Sequence, residues 1–181
     1  ILGHDDPTMI RHLMNFVDEN PNDFPFDTVE GIPLSDDKVL SLFSSVTALG
    51  VTPEQVRNEI GTTGLPEFGT SIAKDMLTEI RPKTVYDLIK ISGLSHGTDV
   101  WKGNAEDLIN EGICTLQEVI GCRDDIMVWL SSQGINPSTA FLIMEDVRKG
   151  KRLKPEYEDL LREHKIPEYY INACNKIKYL F

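Results

Sequence analysis

The stretch from residue 91 to residue 101 holds the side chains best suited to bind a nucleotide. The candidate residues in it are Ser95, His96, Gly97 and Thr98. Because Gly93 and Gly97 lack a Cβ atom, they allow backbone N–H groups to approach a phosphate closely, and Trp101 offers a face for stacking. A turn between two helices, packed by Leu94 and Trp101, accounts for the same residues. The sequence therefore predicts a loop here and leaves its role open.

Arg123 is a single cation in an otherwise apolar segment. The apolar residues around it are Ile120, Ile126, Met127 and Val128. An arginine in such a setting either forms a buried ion pair with Asp124 or Asp125, or holds its guanidinium ready for a phosphate. The residues alone do not distinguish the two interpretations.

A second group of cations lies near the C-terminus. Its members are Arg148, Lys149, Lys151, Lys176 and Lys178. The first three, with Arg152, follow a predicted helix, where cations complement the helix dipole and are usually solvated. On the last predicted helix, Lys176 and Lys178 flank Ile177, so one of them can face a phosphate while the other extends to solvent. These residues are candidates for phosphate contacts.

Catalytic motifs are scarce in this sequence. It contains no glycine-rich phosphate loop, no nucleophile elbow and no paired-histidine metal motif, and its four histidines are scattered. The acidic pairs at residues 5–6, 36–37 and 124–125 lie at predicted helix starts, where a carboxylate caps free N–H groups, and we favour capping over metal binding. We expect neither a catalytic residue nor a metal site in this chain.

The charge balance excludes a protein that binds nucleic acid through bulk positive charge. The 181 residues carry a formal net charge of −11 and are 40% hydrophobic, which is typical of an ordinary globular domain. Residues 145–181 differ, because they contain nine basic and seven acidic side chains. This distribution is compatible with phosphate contacts confined to the C-terminal portion.

Capping signals and apolar spacing predict a chain of helices. They are expected near residues 6–16, 35–43, 52–60, 69–80, 84–91, 104–110, 123–130, 136–150, 155–164 and 167–181. Residues 17–35 are rich in turn formers and are predicted to be a surface loop. Alternating strand patterns and sustained heptads are both missing from the sequence. The predicted fold class is therefore all-α.

The remaining composition points to a reduced, membrane-free environment. Three cysteines form neither a disulfide framework nor a zinc motif, and no apolar run reaches the roughly 20 residues of a membrane span. We expect a cytoplasmic protein without a membrane partner. Because the sequence lacks an initiator Met and ends on an apolar run, we also expect it to be a piece of a longer polypeptide.

Five runs of residues carry a resemblance to a known family. They are ILGHDDPT at residues 1–8, PEFGT at 66–70, SGLSHGTDVW at 92–101, VIGCRDDIM at 119–127 and VRKGK at 147–151. Together they resemble the PolC-type DNA polymerase III alpha subunit of low-GC Gram-positive bacteria, over essentially the whole chain. The resemblance implies an irregular multi-helix fingers subdomain of a C-family DNA polymerase.

The resemblance also implies how the chain is divided and what it does. Residues 1–16 correspond to the end of the palm and its junction with the fingers, 17–35 to a surface loop, and 36–181 to the helical fingers on the nucleotide and template side. The family extends primers by two-metal nucleotidyl transfer, with Mg²⁺ held by palm carboxylates. Those carboxylates lie outside this chain, so we expect the isolated fragment to bind no metal and to be inactive.

Individual residues acquire roles through the same resemblance. Arg123 resembles a clamp for the triphosphate of the incoming deoxynucleotide, and the predicted loop with Ser95, His96, Gly97 and Thr98 resembles a nucleotide pocket. Through the resemblance, the basic residues Arg148, Lys149 and Lys151 are placed for phosphates of the nucleotide or the template, whereas Lys176 and Lys178 remain candidates from the residues alone. The implied partners are primer-template DNA and deoxynucleoside triphosphate, with the sliding clamp and other replisome proteins bound by other domains.

Two other functions remain compatible with the residues. One is a stand-alone helical interaction module that binds protein or nucleic acid through the loop from Gly93 to Gly97. The other is a metal-dependent phosphohydrolase that uses the acidic pairs, and it requires further ligands that converge on one site.

Overall fold

The computed structural model describes residues 5–181, and these fold as two compact units that divide between Gly69 and Thr70. Within the described residues every regular element is helical, and the one extended pairing is an isolated bridge between Thr98 and Tyr179. The predicted all-α class is confirmed. In the part of the chain described, no helix is both long and apolar enough to span a membrane.

The first unit contains three helices and two single 3-10 turns in its described part. The helices are α1 (Asp6–Glu19), α2 (Asp37–Ser41) and α3 (Pro53–Val56), and the turns are Val29–Gly31 and Thr47–Leu49. Asp5, rather than Asp6, occupies the N-cap of α1. This helix continues into the predicted loop because Asn20 closes it later, donating its side-chain amide to the carbonyl of Phe16 at 2.8 Å.

Local capping chemistry fixes the start of α3 but not its length. Thr52 and Gln55 form a reciprocal capping box, in which the Thr52 N–H donates to the Gln55 side chain at 2.9 Å. The helix then ends after one turn, because Arg57 adopts a left-handed conformation with φ of 52°. The small core of this unit includes an edge-to-face contact between Phe43 and Phe68, whose ring centroids are 5.2 Å apart.

The second unit contains the remaining seven α-helices of the described chain. They are α4 (Ser71–Ile80), α5 (Val85–His96), α6 (Glu106–Asn110), α7 (Arg123–Ser132), α8 (Pro137–Arg148), α9 (Pro155–Glu163) and α10 (Glu168–Lys176), and a wide turn over Trp101–Ala105 precedes α6. Helices α7 and α8 pack against each other and contribute the fully buried side chains of Leu130 and Ile143. A short connection joins them, and Asn136 caps α8 by accepting from the Ser138 N–H at 2.9 Å.

The structure corrects the predicted loop after residue 91, because α5 continues to His96. The buried face of α5 extends through Leu94, and Gly93 lies inside the helix at a close contact with another segment. A Cβ atom at Gly93 would lie 2.5 Å from the carbonyl oxygen of Gly121. The glycine is therefore required by helix packing, and Ser95 and His96 lie in the last helical turn rather than in a loop.

The end of the chain is a second correction. Helix α10 stops at Lys176, and residues 177–181, here called the C-terminal segment, are extended rather than helical. The segment buries Ile177 and Leu180 and leaves Lys178 exposed. Burial of these two apolar side chains and hydrogen bonds to neighbouring elements take the place of the helical hydrogen bonds that the sequence pattern predicts.

Candidate functional site

The C-terminal segment brings together three element ends that are distant in sequence. Thr98 follows α5 and donates its N–H to the carbonyl of Tyr179 at 2.9 Å. Arg123 begins α7 and donates its N–H to the carbonyl of Phe181 at 2.9 Å, while Arg148 ends α8 and accepts from the Leu180 N–H at 3.2 Å. Three residues predicted from the sequence to bind phosphates therefore lie along one extended strand.

Arg123 presents its side chain to solvent. It is the first residue of α7 and is exposed, and its guanidinium has neither a hydrogen-bond nor an ion-pair partner among residues 5–181. The buried ion pair considered from the sequence does not form, because Asp125 is engaged by Lys90 instead. A guanidinium fixed at a helix start and without a protein partner is available to an anion.

An ion pair between Lys90 and Asp125 fixes the backbone that leads into Arg123, and it is called the bracket below. One carboxylate oxygen of Asp125, Oδ2, accepts from Lys90 Nζ at 2.7 Å and from the N–H groups of Gly121 and Cys122 at 2.8 and 3.0 Å. Lys90 Nζ also donates to the carbonyl of Val119 at 2.8 Å. With its side chain only 5% exposed, Lys90 ties α5 to the turn before α7.

The pairing of Lys90 with Asp125 is not among the contacts predicted from the sequence. Lys90 lies on α5 beside the buried residues Leu88, Ile91 and Leu94, and a lone lysine on such a face signals a buried partner. Its partner Asp125 is the third residue of α7, a position from which a carboxylate reaches back to free N–H groups. Both signals are present in the sequence, but the pairing between them spans 35 residues.

The end of α5 lies directly against the C-terminal segment. The imidazole of His96 contacts the ring of Phe181, with centroids 5.2 Å apart, and the Ser95 hydroxyl donates to the carbonyl of Ser92 at 2.8 Å. A Cβ atom at Gly97 would lie 2.9 Å from the carbonyl oxygen of Tyr179. The close approach that Gly97 permits is thus to this backbone, which explains the glycine without a ligand.

Trp101 cannot stack on a base in this conformation. Its side chain is 5% exposed and forms part of the core beside Val100 and Ala105. The burial of Trp101 supports the packing role considered from the sequence and not the stacking role. A buried indole at the start of a wide turn anchors residues 98–105 against the helices.

The cations at the end of α8 are already paired within their own helix. Arg148 forms a bidentate pair with Glu145, with distances of 2.7 and 3.1 Å, and Lys149 Nζ lies 2.7 Å from the same carboxylate. Lys151 Nζ lies 3.3 Å from Asp146. The hydrogen bonds from Arg148 and then Lys149 lower the pKa of Glu145 from 4.5 to about 2.

This pairing predicts a pH dependence of stability. Because the pKa of Glu145 is depressed in the folded state, its stabilising effect is complete above pH 4.5 and is lost as the pH falls toward 2. The melting temperature of the chain should therefore decrease more steeply between these pH values than that of a Glu145→Gln variant. Circular dichroism melts across this range measure the difference. Glu163→Gln, at an exposed glutamate of α9, is the control, and parallel curves for wild type and Glu145→Gln would refute the assignment.

Lys176 and Lys178 do not share a helix, contrary to the sequence-based expectation. Lys176 ends α10 and donates to the carbonyl of Gly103 at 3.0 Å, whereas Lys178 lies in the C-terminal segment. Both line a groove of about 320 Å³, here called the basic groove. Its lining residues are Asp99, Lys102, Gly103, Arg152, Asn175, Lys176 and Lys178.

In two of the three acidic pairs, one aspartate accepts hydrogen bonds from backbone N–H groups at the start of a helix. Asp36 caps α2 by accepting from the Val39 N–H at 2.9 Å, and Asp125 belongs to the bracket above. Asp5 is the N-cap residue of α1 but makes no side-chain capping bond. Across residues 5–181, no three or more His, Cys, Asp or Glu side chains are grouped so that they could hold a metal ion.

Comparison with known proteins places the chain in a family. Residues 6–165 match the family model of the bacterial DNA polymerase III alpha subunit finger domain. All 181 residues align with curated proteins named DNA polymerase III PolC-type, at 54% identity in Oceanobacillus iheyensis, 52% in Bacillus subtilis and 51% in Caldanaerobacter subterraneus.

The resemblance seen in the sequence is thereby confirmed. The chain spans 12% of the length of each of these relatives. The family model covers the candidate site residues from Ser95 to Lys151 but not Lys176 and Lys178. The alignment with the relatives covers all of them. The chain therefore belongs to the finger domain family of the bacterial DNA polymerase III alpha subunit, and its sequence is similar to that of the PolC type.

Proposed function

We propose that this chain binds the incoming deoxynucleoside triphosphate as the fingers part of a replicative DNA-directed DNA polymerase. The observation that carries the proposal is the exposed guanidinium of Arg123 at the start of α7, which has no partner among residues 5–181. The C-terminal segment that bonds to Arg123 also contacts His96 and Thr98. The C-terminal segment joins these residues, so a ligand that contacts one of them lies near the others. Family membership supports the same reaction class.

Arg123 acts on the phosphates of the nucleotide. Its planar guanidinium presents several N–H donors in a fixed fork, which suits the spread oxygens of a triphosphate better than the point charge of a lysine. The guanidinium itself supplies the positive charge, because the N-terminus of α7 is already capped by the carboxylate of Asp125. In the reaction, this positive potential stabilises the negative charge that develops on the leaving pyrophosphate.

The other predicted phosphate contacts differ in availability. Thr98 and His96 are exposed beside the C-terminal segment and are placed to contact the nucleotide from the α5 side. Arg148 and Lys149 share Glu145, so binding a phosphate directly requires them to exchange this partner. We therefore assign Arg148, Lys149 and Lys151 a contribution to the local potential, and Arg123 the direct contact.

The metal ions of the reaction belong to residues outside this chain. The resemblance assigns the metal-binding carboxylates to the palm, and among residues 5–181 no three or more His, Cys, Asp or Glu side chains are grouped to hold a metal ion. We infer that Mg²⁺ is held by other parts of the polymerase, and that the chain by itself catalyses no nucleotidyl transfer. Primer-template DNA is the second substrate, and contacts to the sliding clamp and other replisome proteins in the cytoplasm belong to other domains.

Photoaffinity labelling tests the proposed nucleotide contact. A polymerase that contains this chain is irradiated with primer-template and a deoxynucleotide that carries a photoreactive group on its γ-phosphate, and the labelled peptides are identified by mass spectrometry. The label should be found in the peptides that contain residues 95–98 or 123, and excess unmodified nucleotide should remove it. A competed label restricted to other regions would contradict the proposal.

The structure does not contain the loop through which a stand-alone interaction module was expected to bind, because α5 continues to His96. That interpretation placed the contact in a flexible stretch from Gly93 to Gly97, whereas Gly93 is buried within α5 and Gly97 packs against Tyr179. The phosphohydrolase alternative requires converging metal ligands, and the described residues do not provide them. The fingers assignment is the function that the geometry supports best.

A further inference from the structure

A groove of about 510 Å³, here called the aromatic groove, lies between α5, α7 and the start of α10. Four aromatic side chains from these helices line it, and they are Tyr86, Trp129, Tyr169 and Tyr170. It has no lining residue in common with the basic groove, and Arg123 does not line it. The aromatic groove is therefore a surface that the proposed nucleotide contact leaves unused.

The side chains of the aromatic groove form both a fixed wall and an exposed rim. Trp129 contacts Tyr170, with ring centroids 4.2 Å apart, and Tyr170 is buried, so the core holds this pair in place. Tyr86 and Val128, in contrast, are 50% and 64% exposed. Because exposed apolar surface beside a concave aromatic wall gains free energy when it is covered, this arrangement is typical of a binding surface.

Hydrogen-bond donors in the aromatic groove have no acceptor within the described protein. Among residues 5–181, the indole N–H of Trp129 and the hydroxyls of Tyr86 and Tyr169 form no hydrogen bond. The hydroxyl of Tyr170 is buried and likewise lacks a partner in this part of the chain. Tryptophan and tyrosine side chains donate to carbonyl oxygens when a ligand covers them. The groove therefore favours an occupant with free carbonyl groups.

The charge of the aromatic groove is negative. Glu118 and Asp124 line it and are exposed. Glu118 accepts from the N–H and hydroxyl of Thr115, and Asp124 forms no side-chain hydrogen bond or ion pair within residues 5–181. Lys90 is the one cation among the lining residues, and Asp125 neutralises it at 2.7 Å. The groove therefore repels phosphates and favours a cationic occupant.

The unpaired donors also restrict the backbone conformation of a bound peptide. An α-helix uses its carbonyls internally, and an added β-strand needs the free edge of a sheet, whereas residues 5–181 contain only the isolated bridge between Thr98 and Tyr179. A polyproline II segment has no internal hydrogen bonds, so its carbonyls are free to accept, and aromatic-lined grooves are the usual surface that binds it. Its stiffness lowers the conformational entropy lost on binding. The donors and rings of the aromatic groove therefore suit a proline-rich peptide.

We propose that the aromatic groove binds a proline-rich segment of a partner protein in the polyproline II conformation, with an arginine or lysine of that segment beside Glu118 and Asp124. Prolines of the segment pack against Tyr86 and Trp129, and the unpaired donors of the groove bond to its carbonyls. This site is separate from the proposed nucleotide contact, and neither depends on the other.

Fluorescence anisotropy with a labelled synthetic peptide, a run of prolines followed by two arginines, tests the proposal. A polymerase that contains this chain should bind the peptide saturably at concentrations below about 1 mM. Glu118→Gln/Asp124→Asn should bind it about 3- to 10-fold more weakly, because two exposed charge pairs are lost. Tyr86→Ser, which removes an exposed ring, should weaken binding at least ~5-fold. Glu156→Gln/Glu163→Gln, which changes the net charge equally at exposed glutamates of α9 outside the groove, is the control.

Two further peptides separate proline recognition from attraction by charge alone. One has glutamates in place of the arginines, the other has glycines in place of the prolines, and both should bind more weakly than the first peptide. Weakening by the groove substitutions and not by the control supports the proposal. No binding by the wild-type polymerase, equal weakening in the control, or equal binding of either substituted peptide overturns it. If Glu118→Gln/Asp124→Asn lowers the melting temperature, Tyr86→Ser decides. Excess primer-template should leave the peptide bound, and its displacement would instead assign the groove to nucleic acid.

Discussion

Replacing Asp125 with alanine is expected to lower the free energy of unfolding of the second unit by about 3–5 kcal/mol. The substitution removes the acceptor of Lys90 Nζ and of the N–H groups of Gly121 and Cys122. Lys90, with only 5% of its side chain exposed, is then left as a buried charge without its counterion. The cost comes from this uncompensated charge together with the unsatisfied backbone donors.

Denaturant unfolding followed by tryptophan fluorescence measures this loss, because both tryptophans, Trp101 and Trp129, lie in the second unit. The neighbouring Asp124→Ala provides a matched control. Asp124 is exposed and makes no side-chain hydrogen bond or ion pair within residues 5–181, so its removal should change stability by less than about 0.5 kcal/mol. Equal effects of the two substitutions would show that the bracket does not stabilise this unit.

Replacing Arg123 with alanine in the polymerase is expected to reduce kcat/KM for the incoming nucleotide by about 10- to 150-fold, which corresponds to about 1.5–3 kcal/mol for a charged hydrogen-bonding group. The fold should remain intact, because the exposed guanidinium has no protein partner among the described residues. Steady-state primer extension at varied nucleotide concentration provides the measurement. Primer-template affinity, measured separately, should not change.

Two further variants define what Arg123 contributes. Arg123→Lys keeps the charge but loses the bidentate geometry, so its kcat/KM should lie between those of wild type and Arg123→Ala. Arg81→Ala, at an exposed arginine in the C-cap of α4, should behave as wild type. Unchanged nucleotide kinetics with a lower melting temperature for Arg123→Ala would make the residue structural.

Local chemistry in the sequence was sufficient to predict most helix starts. Thr52 caps its helix together with Gln55, and Asn136 accepts from the N–H of Ser138, so both caps act through hydrogen bonds within a few residues at the starts of predicted helices. Such signals depend on the backbone within one turn, so they hold whatever the tertiary contacts. The all-α class follows from the same signals, combined with the lack of alternating apolar patterns.

Long-range contacts determine the features that the sequence did not predict. Gly93 has the appearance of a loop former until its neighbour Gly121 is known, and the contact between them joins residues 28 positions apart. The C-terminal segment has helical spacing in isolation but bonds instead to Thr98, Arg123 and Arg148. Tertiary hydrogen bonds and burial of Leu180 outweigh the weak local preference for helix.

In the candidate site too, local signals were predictable from the sequence and long-range contacts were not. Residue type left Arg123 as either an ion-pair partner or a phosphate ligand, and the resemblance pointed to it as a phosphate ligand and to the segment around His96. What the sequence did not provide was their common attachment to the C-terminal segment, or the bracket of Lys90 and Asp125 beneath them. The basic groove was recognised only in part, because Lys102 and Arg152 join Lys176 and Lys178 through the fold and not through sequence proximity.

The central claim is that Arg123 contacts the triphosphate of the incoming nucleotide. The most direct test is an experimental structure of the polymerase that contains this chain, bound to primer-template and a non-hydrolysable deoxynucleotide. If Arg123 contacts the triphosphate, its guanidinium nitrogens should lie at about 2.7–2.9 Å from phosphate oxygens in this complex. A closed complex in which another residue occupies that position, with the Arg123 side chain turned toward solvent or toward Asp124, would contradict it.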